Sequence, residues 1–357
     1  MDLEKRFDLI ESTGEEVITR EELRSLLQTK QHPVAYDGFE PSGQMHIAQG
    51  VMRAIDTNKL TEAGVHFKFL VADWHAWANN KMGGNLDVIK KVGDYFVEIW
   101  KAAGMDMKNV SFVYASDYMN SPDYWKNVLA IAKASTVARI VRCGQIMGRS
   151  EKDVQQASQI IYPCMQASDI FHLEADITHL GMDQRKVNIL ARELGPQLGL
   201  WKPVVVSFHM LMGLGKPAEG IKDPVERAVH MKMSKSVPDS AIFMTDSEED
   251  VKRKISKAFC PEKQMHDNPI IDYMHHIIFE SFKTVKIDRP SKFGGPLEVS
   301  SFDELKQMYS DGHVHPADLK NACAFYVNEL LAPVRRHFAK GKAKELSDFV
   351  KKQAVTR

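Results

Sequence analysis

The chain has 357 residues, 44% apolar and 26% charged, which excludes a disordered chain and allows one large domain with a smaller one. Lys plus Arg and Asp plus Glu number 47 each, so there is no global basic field. A nucleic-acid partner would need a local basic patch.

Cys143, Cys164, Cys260 and Cys323 are far apart and form no C-x-x-C pair. Neither a structural zinc site nor a disulfide framework is expected, and a reducing cytoplasm is the default compartment. The first residues carry no apolar run of the signal-peptide kind, and no stretch is long enough to span a bilayer.

In chain order, residues 1–30 read as helical, with Thr19 and Glu22 spaced as a capping box ahead of Leu23, Leu26 and Leu27. Val34 to Phe39 reads as a strand running into the turn Pro41-Ser42-Gly43. A helix is expected from near His46 to before Gly64. Phe67 to Asp73 reads as an apolar strand, and a long helix follows with Val88, Ile89, Val92, Phe96 and Trp100 on one face. Trp74, Trp77 and Trp100 are expected in the core. Val110 to Tyr114 is the next strand, residues 122–175 are mainly helical, a helix opens at 181–184, and Val204 to Phe208 is one more strand. Strands alternating with helices predict a Rossmann-like, doubly wound parallel sheet, whose ligands sit at the carboxyl ends of strands. Residues 213–240 read as loop and linker. From about 246 onward the pattern is helical, with a break at Phe293-Gly294-Gly295-Pro296. The expected division is therefore 1–228, a loop and linker at 229–245, and an all-helical domain at 246–357.

Lys232-Met233-Ser234-Lys235-Ser236 places two lysines three apart among small hydroxyls. Such a cationic loop can hold a polyphosphate. Charge grows on the α-phosphate and pyrophosphate during adenylation, so cations aimed there favour the transition state over the ground state. An amino-acid carboxylate is already ionised at neutral pH, so no general base is required. His46, at a helix start, can donate to a phosphate, and Pro41-Ser42-Gly43 leaves room for a nucleotide. An exposed histidine in an ordinary strand–turn–helix has the same appearance.

Tyr162, Gln166 and Asp169 share one helix face at i, i+4 and i+7, surrounded by Ile160, Ile161, Met165, Ile170 and Phe171. Buried, they would need polar partners that a substrate can supply, whereas exposed they would be a solvated face. Asp183 in Gly181-Met182-Asp183-Gln184 is either a helix cap or a ribose ligand. Asp73-Trp74-His75 at a strand end is equally open. Phe293, His315, Asp318 and the run Arg335-Arg336-His337 offer stacking, base-edge and phosphate contacts, or else a capped helix with a basic end.

Together these motifs resemble the archaeal/eukaryotic-type tyrosyl-tRNA synthetases. The resemblance runs in order through Tyr36 to Gly43, Ala72 to Ala76, Tyr162 to Asp169, Gly181 to Lys186, Lys232 to Ser236, Lys292 to Gly295 and His315 to Lys320. It implies a class I Rossmann catalytic domain with a dimer-forming helical insertion, a helical anticodon-binding domain and a homodimer. It implies His46, Lys232 and Lys235 as catalytic groups. Tyr36 and Asp169 would hold the tyrosine hydroxyl, and Tyr162, Gln166 and Gln184 its amino group. ATP would meet Gly38, Ser42, Gly43, Gln49, Gly181, Asp183, Met233, Ser234 and Ser236, with magnesium accompanying it. Phe293, His315 and Asp318 would read the anticodon, and Arg142, Arg149 and Arg185 would meet the acceptor stem. Transfer would go to the 2′-hydroxyl.

Where the family often has H-I-G-H, this chain has His46-Ile47-Ala48-Gln49, so the fourth position brings a hydrogen-bonding group without charge. The competing readings are a tryptophanyl enzyme, a small-molecule nucleotidyltransferase on the same fold, and a tRNA-binding paralogue without catalysis.

Overall fold

The structure, a computed structural model, describes residues 1–144, 156–217, 220, 231, 233 and 238–353. Six strands form one sheet in the order β1-β6-β5-β2-β3-β4. They are β1 (Glu16–Ile18), β2 (Val34–Phe39), β3 (His66–Val71), β4 (Val110–Tyr114), β5 (Ile177–Gly181) and β6 (Val204–Phe208). All neighbours run parallel except β1, which pairs antiparallel to β6 at the edge. The chain winds outward from β2 through β3 to β4, then restarts on the other side of β2 with β5 and β6. The direction of winding reverses between β2 and β5, which opens a crevice at their carboxyl ends.

Strand periodicity sorts side chains onto the two faces. Ala35, Phe39, Phe67, Phe69 and Val71 enter one apolar cluster, while Tyr36 and Leu70 enter the other. The first cluster takes in helix α5 (Leu86–Ala102), whose buried Trp100 lies 4.6 Å from the Phe69 ring and 5.6 Å from that of Phe112. The second is covered by α6 (Pro122–Lys133), α7 (Val137–Cys143), α8 (Ala157–His172) and α9 (Arg185–Gln197).

Local signals place the helices. Thr19 and Glu22 form the expected capping box ahead of α2 (Arg20–Thr29). Asn85 caps α5 and Ser121 caps α6, which has Pro122 at its first turn. The segment after His46 starts as a π-helical turn, Ala48–Met52, and continues as α3 (Arg53–Glu62).

Three elements depart from the sequence reading. β1 interrupts the expected helical N-terminus, and β5 was not anticipated as a strand. The C-terminal part is helical, with Glu248–Lys257, Pro316–His337 and Gly341–Lys351, but holds a two-stranded antiparallel hairpin, Val285–Ile287 with Leu297–Val299. Gly294 and Gly295, with φ of +98° and +74°, lie in the hairpin's connection, where a Cβ would be strained. Trp100 is fully buried as expected, but Trp77 is 48% exposed because it lies on the outer face of the short helix α4 (Asp73–Ala78). The sheet layer also meets the C-terminal helices, with Tyr95 against Phe338 at 5.5 Å and the Lys91 ammonium over the Phe349 ring at 4.9 Å. Among the described residues no helix is long and apolar enough to cross a membrane.

Candidate active site

A cavity of about 380 Å³ opens at the crevice above β2 and β5. Its lining includes Tyr36, Gly38, Ser42, His46, Gln49, Tyr162, Gln166, Asp169, Gly181, Asp183, Gln184 and Met233. The fold thus gathers residues from β2, the segment that follows it, α8, the end of β5 and the short turn between β5 and α9. Gly43 sits in the turn with φ of +110° and is not part of the lining.

Tyr36 faces α8 because even positions of β2 point to that side. Its hydroxyl is buried without a well-formed partner, beside the Gln166 amide. Burial, and then the charge of Asp169, push the Tyr36 phenol well above its usual range, so it stays a neutral donor. Tyr162, Gln166 and Asp169 are 7%, 7% and 0% exposed, which decides for the buried reading of that helix face. Ile161 instead points outward at 44% exposure. Gln166 Nε2 donates to Gln184 Oε1 at 3.0 Å, tying α8 to the turn after β5.

Asp169 is the most heavily supported group. Tyr118 and Tyr124 hydroxyls each donate to its Oδ1 at 2.8 Å, and His75 Nε2 lies 2.9 Å from its Oδ2. Burial disfavours a charged His75, but the Asp169 charge and hydrogen bond outweigh it and raise its pKa. Asp73, at the start of α4, accepts from the backbone N–H of Trp74 at 2.9 Å and of Ser116 at 3.0 Å, so it fixes the ends of β3 and β4 relative to each other. The strand-end cluster at 73–75 therefore splits into one structural acid and one site histidine.

At the cavity floor lies a deeply buried cation. Arg53 Nε is 3.0 Å from Asp37 Oδ2, Nη1 is 2.9 Å from Asp56 Oδ2, and Nη2 is 2.7 Å from His179 Nδ1. Burial, only partly offset by Arg53, pushes the Asp37 carboxyl up to about 7. Burial and the Arg53 charge hold His179 well below the usual imidazole range, so it is a neutral acceptor for the guanidinium.

Lys232, Ser234, Lys235, Ser236 and Arg149 lie outside the described residues. Arg142 lies on α7, and Arg185 pairs with Glu16 at 2.7 Å. Phe293 ends a short 3-10 turn, Ser291–Phe293. His315 accepts from the Ala317 N–H at 3.2 Å and caps the helix Pro316–His337, with Asp318 in its first turn. Arg142, Arg185, His315 and Asp318 are not part of the cavity lining. The sequence reading missed Arg53, Lys81, His209 and Met210 in its lining, and Tyr118 and Tyr124 behind Asp169.

A family described as "tRNA synthetases class I (W and Y)" matches residues 28–332. Tyrosine–tRNA ligase 1, cytoplasmic, of Arabidopsis thaliana is 49% identical over 360 residues, spanning 100% of this chain and 90% of that one. The chain belongs to the tyrosyl-tRNA synthetases of archaeal and eukaryotic type. Two solved members of this tyrosyl family overlay closely. The Pyrococcus horikoshii synthetase, complexed with L-tyrosine, has a TM-score of 0.92 at 38% identity, covering 98% of this chain and 100% of that one. The Leishmania major synthetase, in complex with tyrosinol, has a TM-score of 0.89 at 44% identity, covering 98% of this chain and 60% of that one.

Proposed function

We propose that this chain is a tyrosine–tRNA ligase, and that the Asp169 cradle beside Tyr36 carries its choice of amino acid. Asp169 accepts a phenol O–H, and Tyr36 holds the same oxygen. Phenylalanine would leave both buried groups unpaired and is rejected, a case for which tyrosyl-tRNA synthetases are themselves the standard example. Tyr162, Gln166 and Gln184 take the α-amino group.

In the first step the tyrosine carboxylate attacks the α-phosphate of ATP, the bond to the β-phosphate breaks, and pyrophosphate leaves. Magnesium arrives with ATP as part of that substrate. Gly38, Ser42, Gly43, Gln49, Met233, Ser234 and Ser236 border the nucleotide, and Gly181 with Asp183 takes its ribose. His46, Lys232 and Lys235 neutralise the charge that grows on the phosphates. In the second step the 2′-hydroxyl at the tRNA end attacks the tyrosyl carbonyl and AMP leaves.

Phe293, His315 and Asp318 read the anticodon, and Arg142, Arg149 and Arg185 meet the acceptor stem. The division into a catalytic part at 1–228, a lysine loop and linker at 229–245 and an anticodon-binding part at 246–357 follows from these roles. A homodimer is supported by large apolar side chains left exposed on α6, α7 and α8: Leu129 at 67%, Val137 at 69% and Ile161 at 44%. The Arabidopsis relative is named cytoplasmic, and this chain is assigned the same place.

Amino-acid-dependent ATP–pyrophosphate exchange across all twenty amino acids tests the reading. Exchange with tyrosine alone, abolished by Lys235→Ala, supports it. Folded protein that exchanges with no amino acid would sink it in favour of a tRNA-binding paralogue.

A further inference from the structure

One carboxylate clamps the segment that follows β6. Asp272 Oδ1 accepts from His209 Nε2 at 2.8 Å, and Oδ2 accepts from the Met212 N–H at 2.8 Å. The other ring nitrogen of His209 meets Glu15 Oε2 at 3.0 Å. A ring that serves two carboxylates, one at each nitrogen, is an imidazolium. Burial opposes that charge, but Asp272 and Glu15 outweigh it and push the His209 pKa up to about 10. The Asp272 carboxyl is buried, yet His209 holds it below the usual range.

The surrounding groups fit a proton better than a metal ion. His276 stacks on His209 with centroids 4.0 Å apart and planes 16° from parallel. Its Nε2 is 3.7 Å from Asp272 Oδ1. Burial, then the His209 charge, push His276 down to about 3, so it packs as a neutral ring. His275 stacks in turn on Phe302, and Lys306 and His266 line the adjoining cavity. His209, Asp272 and His276 offer ligand atoms within 4.8 Å of one another. Near-parallel rings, however, cannot aim in-plane lone pairs at one ion unless a ring turns.

What the clamp holds is the substrate pocket. Met210 and Leu211, between the two clamped points, line the cavity. Met210 Sδ occupies space that a Cβ on Gly181 would need, 2.5 Å from it, beside Asp183. The segment then bonds to residues on both sides of the lysine loop. The Gly213 N–H donates to Met231 O at 2.7 Å, and the Leu214 N–H donates to Ser240 O at 2.9 Å. Tyr273, next to Asp272, donates its hydroxyl to Met233 Sδ at 3.8 Å. One helical turn of the C-terminal part therefore anchors the pocket wall and, with the 213–214 backbone, Met231, Met233 and Ser240.

We infer that His209 is a positioning residue for adenylate formation, acting through Asp272 on the Met210–Leu211 wall and on Met231, Met233 and Ser240, between which Lys232 and Lys235 lie in sequence. This rests on the ligase reading above. The geometry needs a charged donor at His209, and a pKa raised to about 10 keeps it charged through neutral pH. The tie is fully formed below the ordinary histidine range and is lost as pH rises through about 10.

The test compares His209→Gln, Asp272→Asn and the double variant with the wild type. Three readouts are used: tyrosine-dependent ATP–pyrophosphate exchange, equilibrium binding of tyrosine, and amide hydrogen exchange over 209–214. Each single variant should lower the exchange kcat by about tenfold or more, while tyrosine binding changes by less than about twofold. Amides of 209–214 should exchange faster. The double variant, with a neutral amide pair, should regain part of the lost rate, which a simple packing defect would not. Single variants equal to wild type in both rate and amide protection overturn the inference. Tight zinc binding that His276→Ala abolishes would overturn it in favour of a metal site. A wild type that exchanges with no amino acid refutes the ligase reading, and amide protection then still decides whether the clamp exists. If His209→Gln fails to fold, Asp272→Asn, which keeps an acceptor oxygen, carries the same comparison.

Discussion

His75 Nε2 lies 2.9 Å from Asp169 Oδ2, with both side chains almost fully buried. Together with the hydroxyls of Tyr118 and Tyr124, this contact holds both oxygens of the carboxylate in place. If Asp169 meets the substrate phenol as proposed, rejection of phenylalanine needs such a fixed carboxylate, because one free to turn toward other donors would lose little when the phenol is absent. Tyr124→Phe removes one of the two bonds to Oδ1. We expect it to cost about 1–3 kcal/mol in urea unfolding. It should also narrow the ratio of kcat/KM for tyrosine over phenylalanine, because Asp169 is then less fixed. An unchanged ratio in a folded variant would show that Asp169 is held without Tyr124.

The same pair gives stability a pH dependence of definite sign. Burial opposes a charged His75, but Asp169 raises its pKa above the usual value. The stabilisation is therefore complete below the ordinary histidine pKa and disappears as pH rises through the folded value. The unfolding free energy of wild type minus that of His75→Gln, measured in urea at successive pH values, should shrink as pH rises from about 5.5 to 8.5, around the reference histidine value. A difference that stays flat, or grows, would mean that His75 is neutral in the folded protein.

Arg53 sits between Asp37 and Asp56 with no exposure to solvent. Replacing it by leucine leaves two buried carboxylates without their cation, and we expect a loss of about 3–5 kcal/mol in denaturant unfolding. The Asp37 carboxyl, already pushed up to about 7, should rise further. Arg53→Leu with Asp37→Asn should recover part of the loss, since one stranded charge is gone. A cost near zero for Arg53→Leu alone would show that water reaches the site.

What the sequence revealed and what it hid follow from the range of the interactions. Strands β2, β3, β4 and β6 are apolar runs bounded by turns, and Thr19 with Glu22 is a local cap, so neighbouring residues suffice to find them. β5 escaped because Thr178 and His179 break its apolar run. His179 is tolerated inside only because Arg53 and Thr13 bond its two nitrogens. The hairpin strands have three residues each, too few to show alternation. In the site, Tyr162, Gln166 and Asp169 were visible through helix spacing. Tyr118, Tyr124, Arg53 and His209 were not, because they meet Asp169, His179 and Asp272 from 45 to 126 positions away. No periodicity reports on such distances. Trp77 shows the converse, a large apolar residue whose place was set by a short helix rather than by its own hydrophobicity.

Gly38 and Gly195 separate what the fold needs from what the ligand needs. A Cβ on Gly195 would come within 2.3 Å of the Trp201 carbonyl oxygen, which is backbone and cannot swing away. Gly195→Ala should therefore cost about 1–3 kcal/mol of stability, with activity following the folded fraction. The nearest atoms to a Cβ on Gly38 would be those of Leu70 at 3.6 Å and Tyr36 at 3.7 Å, ordinary contact distances. Gly38 has no left-handed φ to preserve, so Gly38→Ala should leave stability unchanged or raise it by about 0.4–1 kcal/mol through the unfolded chain. Yet Gly38 lines the cavity, and on the proposed nucleotide path the added methyl would stand in the way. KM for ATP in pyrophosphate exchange should rise by about tenfold or more while the melting temperature holds. If Gly38→Ala binds ATP as the wild type does, the nucleotide does not pass over β2, and the assignment of Gly38, Ser42 and Gly43 to that subsite falls with it.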